Sequence, residues 1–300
     1  MIAVTILGNN SAVPSHNRHP SAQVLQTAEH VVLIDCGEGT QMQMNTYKIR
    51  RSKINHIFIS HLHGDHYFGL IGLLNTFGLN NRLADLHIYA PGDLEAIIQV
   101  QLNAATGNLP YALHFHDLSG EEILFEDKKI VVSSFKVNHR IECWGFLFKE
   151  KQNPRKVNLG QAKKYEIPLT FYGELNRGKN YITPDYKIID NALLTKPGLP
   201  SRSYAYCADT AYFEDICSKI SEVDMVYHEA TYLHNLEEKA NSRFHSTAKQ
   251  AALIAHKAAA KKLIIGHFSS MYAELDDFKT EACEIFENTE LALEGVCFIV

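Results

Sequence analysis

Ile59-Ser60-His61-Leu62-His63-Gly64-Asp65-His66 puts three histidines and an aspartate within six residues, directly behind a predicted strand. Strand residues two apart point to the same side, so His61 and His63 can grip one metal ion as a pair. Gly64 turns the chain towards a helix, and Asp65 and His66 lie past that turn, within reach of a second ion a few ångström away. The spacing differs from H-E-x-x-H, whose two histidines share a helical face, so a zincin reading fails. A lone histidine at a strand end is usually a satisfied polar residue; four ligand-type residues this close together reverse that expectation.

One segment cannot complete two sites, so further ligands must come from other strand ends. Three candidates fit: His139 after a strand at 129–137, Asp209 after 203–207, and His267 after 262–266. Together they supply one more ligand to each metal and a carboxylate able to bridge both.

The rest of the chain has the pattern that would carry such a site. Short Val/Ile/Leu-rich strands are predicted at 2–7, 22–28, 30–34 and 54–60, then 86–90, 129–137 and 144–148. Helical spacing runs from His66 through Leu70, Leu73, Leu74 and Phe77, and again over 93–105. After residue 200 the alternation resumes, with strands at 203–207, 223–227, 262–266 and 295–299. Helices are predicted at 211–219, 246–259 and 276–287, the second capped by Ser246. Strands and helices alternating through both halves imply an α/β fold of two sheets with helices outside. Residues 149–200 break the pattern: they are polar, contain five prolines and show little periodicity. About 50 residues is too long for an ordinary loop, so they form an inserted arm.

Composition narrows the class. The chain has 300 residues, 46% hydrophobic and 21% charged, which excludes a disordered, collagenous or acidic-tail protein. No apolar run approaches the ~20 residues of a membrane span. The opening residues read as a strand rather than a signal peptide, and a cytoplasmic location is expected. Six scattered cysteines without a C-x-x-C pair exclude a zinc ribbon and a secreted disulfide framework. The formal charge of −5 gives no bulk attraction to nucleic acid. Such a partner must be held by local patches or by bound metal.

Seven segments make a specific resemblance. They are Leu33-Ile34-Asp35-Cys36-Gly37-Glu38-Gly39-Thr40-Gln41, the 61–66 segment with Phe68-Gly69-Leu70, Asn138-His139-Arg140, and Ala208-Asp209-Thr210. The others are His228-Glu229-Ala230-Thr231, His245-Ser246-Thr247-Ala248 and Gly266-His267-Phe268-Ser269. The sequence resembles the metallo-β-lactamase superfamily and, within it, the ribonuclease Z family of tRNA 3′-processing endonucleases. The H-x-H-x-D-H element indicates the superfamily; the Glu229 and His245 pair and the 37–41 turn indicate the branch. The resemblance implies a four-layer αββα sandwich of two β-sheets with an inserted arm at 149–200. It implies that His61, His63 and His139 hold one Zn²⁺, that Asp65, His66 and His267 hold the other, and that Asp209 bridges. Manganese is the alternative metal, tolerated by the carboxylates. Asp65 would move a proton, Glu229 would orient His245, and His245 would stabilise or protonate the departing oxygen. Asp35 would orient a metal-bound histidine, or cap the turn before Gly37.

The implied substrate is pre-tRNA, cut to leave a 3′-hydroxyl, by a homodimer with no membrane association. Contacts are expected from Asn17 and Arg18, from Lys48, Arg50 and Arg51 in a basic run ending at Lys53, and from Ser269 and Ser270. Met271 stands where the family commonly carries arginine. The arm keeps Gly173, Gly178 and basic residues at 155, 156, 163, 164, 177 and 179, but has Leu169-Thr170 where a Gly-Pro pair is usual. Two other readings compete: a metal-dependent phosphodiesterase or other hydrolase on a small substrate, and a nucleic-acid-binding scaffold with a dead site. All seven ligand positions are filled, which argues against the scaffold.

Overall fold

The computed structural model describes residues 1–105 and 107–300. It divides into two compact units: Met1–Asp127, Val131–Lys149 and Arg202–Val300 form the larger, Lys128–Ile130 and Glu150–Ser201 the smaller.

Two seven-stranded sheets build the larger unit. The first runs Cys297–Ile299, Ala3–Gly8, Ala22–Gln26, Val31–Ile34, Ile54–Phe58, Leu86–Ala90, Leu113–Asp117, antiparallel at its first three joints and parallel at the last three. The second runs Thr289–Leu291, Leu263–Gly266, Met225–Glu229, Ser203–Cys207, Trp144–Glu150, Ile130–Lys136, Ile123–Glu126; its first three joints are parallel.

Strand alternation decides which face meets what. Ile57 packs outward in one core with Leu73 and Leu74 of helix Leu70–Leu79 and Ile98 of helix Asp93–Ala105. Its neighbour Phe58 faces the second sheet, with ring centres 5.3 and 5.5 Å from Phe146 and Phe148. Helix Ala248–Lys257 covers the outer face of the second sheet with Ala251, Ala252, Ile254 and Ala255, all fully buried. Helix, sheet, sheet, helix is the expected αββα layering.

Three local readings need correction. The helix predicted from His66 onward is broken into Gly64–Tyr67 and Leu70–Leu79. Gly69 lies between them, where the chain touches the 36–37 turn so closely that a Cβ would come within 2.1 Å of the Gly37 carbonyl oxygen. The cap of Ala248–Lys257 is Thr247, not Ser246: Thr247 forms a reciprocal capping box with Gln250, while the Ser246 hydroxyl donates to the Thr210 carbonyl at 2.7 Å. Helix Thr40–Thr46 and strands Leu113–Asp117, Ile123–Glu126 and Thr289–Leu291 were not expected.

The smaller unit carries helices Leu159–Lys164, Tyr172–Asn176 and Asn191–Leu194, and two short antiparallel strand pairs. Ala162, Ile167, Leu175 and Leu194 form a small core of its own. Among the described residues no helix is long and apolar enough to cross a membrane.

Candidate metal centre

Six loops leave the C-terminal ends of strands at one edge of the sandwich, where open α/β sheets place their sites. Val31–Ile34 leads to Asp35, Ile54–Phe58 to the 61–66 segment and Ile130–Lys136 to His139. Ser203–Cys207 leads to Asp209, Met225–Glu229 ends on Glu229, and Leu263–Gly266 leads to His267. Asp35 and His267 adopt φ of 55° and 61°, a left-handed conformation that costs a non-glycine residue about 1 kcal/mol or more and concentrates at functional sites.

Among the groups of ligand atoms that result are His61, His63, His139 and Asp209, and Asp65, His66 and His267; Asp209, His245 and His267 form a third that overlaps them. His63 Nδ1 lies 3.0 Å from His61 Nε2 and 3.1 Å from His139 Nε2, and His66 Nε2 lies 3.3 Å from His267 Nε2. Tetrahedral nitrogen ligands at the usual zinc distance would stand about 3.3 Å apart. Asp209 spans the groups: Oδ2 faces His61 and His139 at 3.6 and 3.9 Å, and Oδ1 faces His66 and His267 at 3.4 and 3.3 Å. Among the described residues no donor is aligned on the buried Oδ1 as a hydrogen bond. A buried carboxylate oxygen ringed by imidazole nitrogens without a donor is an environment that a cation completes.

The outer partners fix which nitrogen turns inward. His66 Nδ1 sits 2.7 Å from Asp35 Oδ2, and His139 Nδ1 donates to the Phe244 carbonyl at 2.9 Å. The Ser60 hydroxyl donates to Asp35 and sits 3.0 Å from His61 Nδ1; the Thr231 hydroxyl donates to Glu229 and sits 3.0 Å from His267 Nδ1. In all four residues Nδ1 is tied outward and Nε2 faces the centre, the arrangement that holds metal-ligating histidines in one tautomer. His63 is reversed, with Nδ1 inward and Nε2 3.1 Å from Arg140 Nε. Asp35 therefore supports His66 directly, besides anchoring Ser60 and the Tyr206 hydroxyl.

Burial pushes the His61, His63 and His139 imidazoles down, His63 to about 4, so their lone pairs are available at neutral pH. His66 goes the other way: burial lowers it, but Asp209, Asp65 and Asp35 together hold it well above its ordinary value. That excess of negative charge around one imidazole also calls for a cation. Asp65, despite burial, is held below the carboxylate range by His66 and His267.

Glu229 is fully buried and accepts from the Thr210, Thr231 and Ser246 amides and the Thr231 hydroxyl. Its Oε1 lies 2.8 Å from His245 Nδ1. Burial lowers the His245 imidazole, but Glu229 outweighs it and raises the pKa to about 9. His245 lines the same cavity as His63, Asp65 and Asp209.

The expected substrate contacts are scattered. Asn17 is exposed, and Ser269 and Ser270 are half-buried just beyond His267. Arg18 does not present its charge: it is 8% exposed and donates to Asn10 Oδ1 and to the Tyr272 and Ala273 carbonyls, tying two loops together. Lys48, Arg50 and Arg51 precede Ile54–Phe58, at the end opposite His61. Five strand residues at ~3.3 Å each keep that patch about 17 Å from the centre. Arg140, Phe68 and Glu38 line the cavity and were not singled out from the sequence as substrate contacts. Only the adjacency of Phe68 and Arg140 to metal-type ligands in the chain could have pointed to them.

The chain is similar to several known proteins. A family model described as anti-Pycsar protein Apyc1 matches residues 2–150. Over the whole chain the similarity is to proteins named Ribonuclease Z. That of Bacteroides thetaiotaomicron is 41% identical over 297 residues, covering 98% of this chain and 94% of the relative. That of Porphyromonas gingivalis (strain ATCC BAA-308 / W83) is 43% identical over 294 residues, covering 97% of each. The crystal structure of the short form of human tRNase Z (ELAC1) superimposes with a TM-score of 0.72 at 26% identity, covering 99% of this chain and 98% of that one. The metallo-β-lactamase fold protein YhfI of Bacillus subtilis gives 0.70 at 18% identity, covering 99% and 98%, a likeness of fold alone. By this near full-length identity the chain is a divalent-metal hydrolase of the metallo-β-lactamase fold and belongs to the ribonuclease Z family.

Proposed function

We propose that the protein is a zinc-dependent endoribonuclease that removes the 3′ trailer from pre-tRNA and leaves a 3′-hydroxyl on the tRNA. The observation that carries this is the convergence of seven side chains into two facing groups bridged by Asp209. The nitrogen-rich, cysteine-free donor set suits two zinc ions, with manganese as the alternative. Bound there, they supply Lewis acidity, polarising a phosphoryl oxygen and making water a nucleophile near neutral pH.

The chain's own residues do the rest. Asp65, ionised and lining the cavity, takes the proton of the attacking water. His245 carries a proton at neutral pH because Glu229 stabilises the imidazolium, so it can hand that proton to the departing O3′. The Glu229 carboxylate, locked by three amides, keeps the ring oriented. The smaller unit is the RNA-binding arm in this reading. Lys156, Lys163 and Lys164 are among its exposed cations, whereas Arg177 and Lys179 both pair with Glu174. A homodimer and a cytoplasmic location go with the reading; the six cysteines are all free, as suits a reducing compartment.

The test is incubation with a 3′-extended tRNA under chelator and after zinc or manganese is restored, with the new 3′ end mapped. Trailer release that stops with chelator and returns with metal is expected. Binding should weaken steeply with salt, as phosphate recognition requires. Hydrolysis of a small phosphodiester with no cutting of the precursor would replace this reading by that of a small-substrate phosphodiesterase.

A further inference from the structure

The cavity at the metal centre, about 270 Å³, is walled on its non-ligand side by Glu38, Phe68 and Arg140 among others. Large apolar side chains occur singly on any protein surface, but Phe68 is 63% exposed at the rim of the reaction cavity itself. Its position is fixed rather than loose. The Phe68 amide donates to the Gly64 carbonyl at 2.9 Å, and the ring lies so close over Gly64 that a Cβ there would come within 2.2 Å of it. Tyr67 meets the ring at a 5.0 Å centre separation and 70°. The ring is thus held from beneath and left largely open to solvent.

Arg140 is exposed in the same cavity, with Nε 3.1 Å from His63 Nε2. Among the described residues no carboxylate pairs with it, so its outer guanidinium nitrogens are unspent. A planar cation suited to phosphate and an uncovered aromatic ring therefore share one cavity with the metal ligands. That combination accepts a nucleotide rather than a bare phosphate, since every base has a π-face to lay on a ring.

We propose that Phe68 is the platform on which the nucleobase next to the scissile phosphate stacks, with Arg140 holding that phosphate; this rests on the endoribonuclease reading above. In the metal-loaded protein, F68A should lower kcat/KM on a 3′-extended tRNA by roughly 5- to 150-fold, the contribution of one base on one ring. The loss should fall mainly on KM, and F68W should keep activity. On the same precursor with abasic nucleotides on both sides of the cleavage point, F68A should change nothing. Equal losses on both precursors, or none on the intact one, overturn the proposal. R140A should weaken both precursors alike and reduce the salt slope of binding by about one; an unchanged slope removes Arg140 from it. A 4-thiouridine beside the cleavage point gives a readout independent of turnover: its crosslink maps to Phe68 if the base stacks there, and elsewhere if it does not. A precursor crosslinked at Phe68 yet left uncut breaks the endoribonuclease reading and keeps the subsite, whereas normal cutting by F68A does the reverse.

Discussion

Histidines gather in two regions of the larger unit, and their rings are set in opposite ways. On the face of the first sheet turned to the second, His56, His87 and His114 are cross-strand partners in register. Their ring centres are 5.3 and 4.9 Å apart with planes within 18° and 20°. Phe58, Tyr89 and His116 make a parallel row, at 4.5 Å each and 7° and 13°. Neighbouring strands lie ~4.7–4.9 Å apart, so the sheet itself dictates this stacking. Where His87 Nδ1 meets His116 Nε2 at 3.0 Å, the nitrogens point along the line joining the ring centres, the direction of an N–H···N hydrogen bond. At the metal centre the planes of His61, His63 and His139 stand 68° to 84° apart, and their nitrogens converge on a common point beside the rings. A count of 16 histidines cannot separate these cases. Regular strand positions stack imidazoles; loops past strand ends free them to converge.

The strongest way to break this contrast is D209A. Removing the carboxylate that faces both groups should abolish cleavage and lower bound metal, read by elemental analysis, while H87F should leave metal content unchanged. Retained metal in D209A, or lost metal in H87F, would undo the comparison. E229Q comes next: with the orienting charge gone, His245 should lose its raised pKa, and kcat should fall by roughly 10²- to 10⁴-fold with bound metal retained. The ladder should matter for stability instead. Burial pushes His56 down to about 4, helped by His87, His30 and His116 and opposed by Asp127. Because the folded value lies below the unfolded one of about 6.5, the unfolded chain binds more protons as the pH falls. Stability should therefore drop from pH 6.5 towards 4, by about 2 kcal/mol at pH 5. H56F keeps a ring in the stack and should flatten the fall of Tm between pH 6.5 and 5 without altering cleavage at pH 7. H114A should be smallest: its side chain is 43% exposed beside Asp85, so the change in stability by denaturant titration should stay within about 0.5 kcal/mol.

The layering was legible because apolar strands and helices alternate with the right periods, and the H-x-H-x-D-H spacing marked the site. His139, Asp209 and His267 could be placed because each directly follows an apolar strand, and these three do meet the 61–66 segment. Features that depend on contacts between distant residues were not legible. Phe68 reads only as part of the motif that follows His66 until Gly64 is seen beneath its ring. Arg18 reads as a surface cation until the carbonyls of residues 272 and 273 are found to consume it. Lys48, Arg50 and Arg51 are close to His61 in sequence but separated from it by a strand's length. The small core of residues 162–194 has no single period, because turns space its four members.

The ligand atoms around Asp209 come from residues 61 to 267, and His267 enters only when Leu263–Gly266 has joined the second sheet beside Met225–Glu229. The group of Asp65, His66 and His267 thus cannot assemble until the chain has grown past residue 267 and that strand has joined its sheet. Completion of the site is therefore tied to closure of the second sheet and not to the 61–66 turn alone.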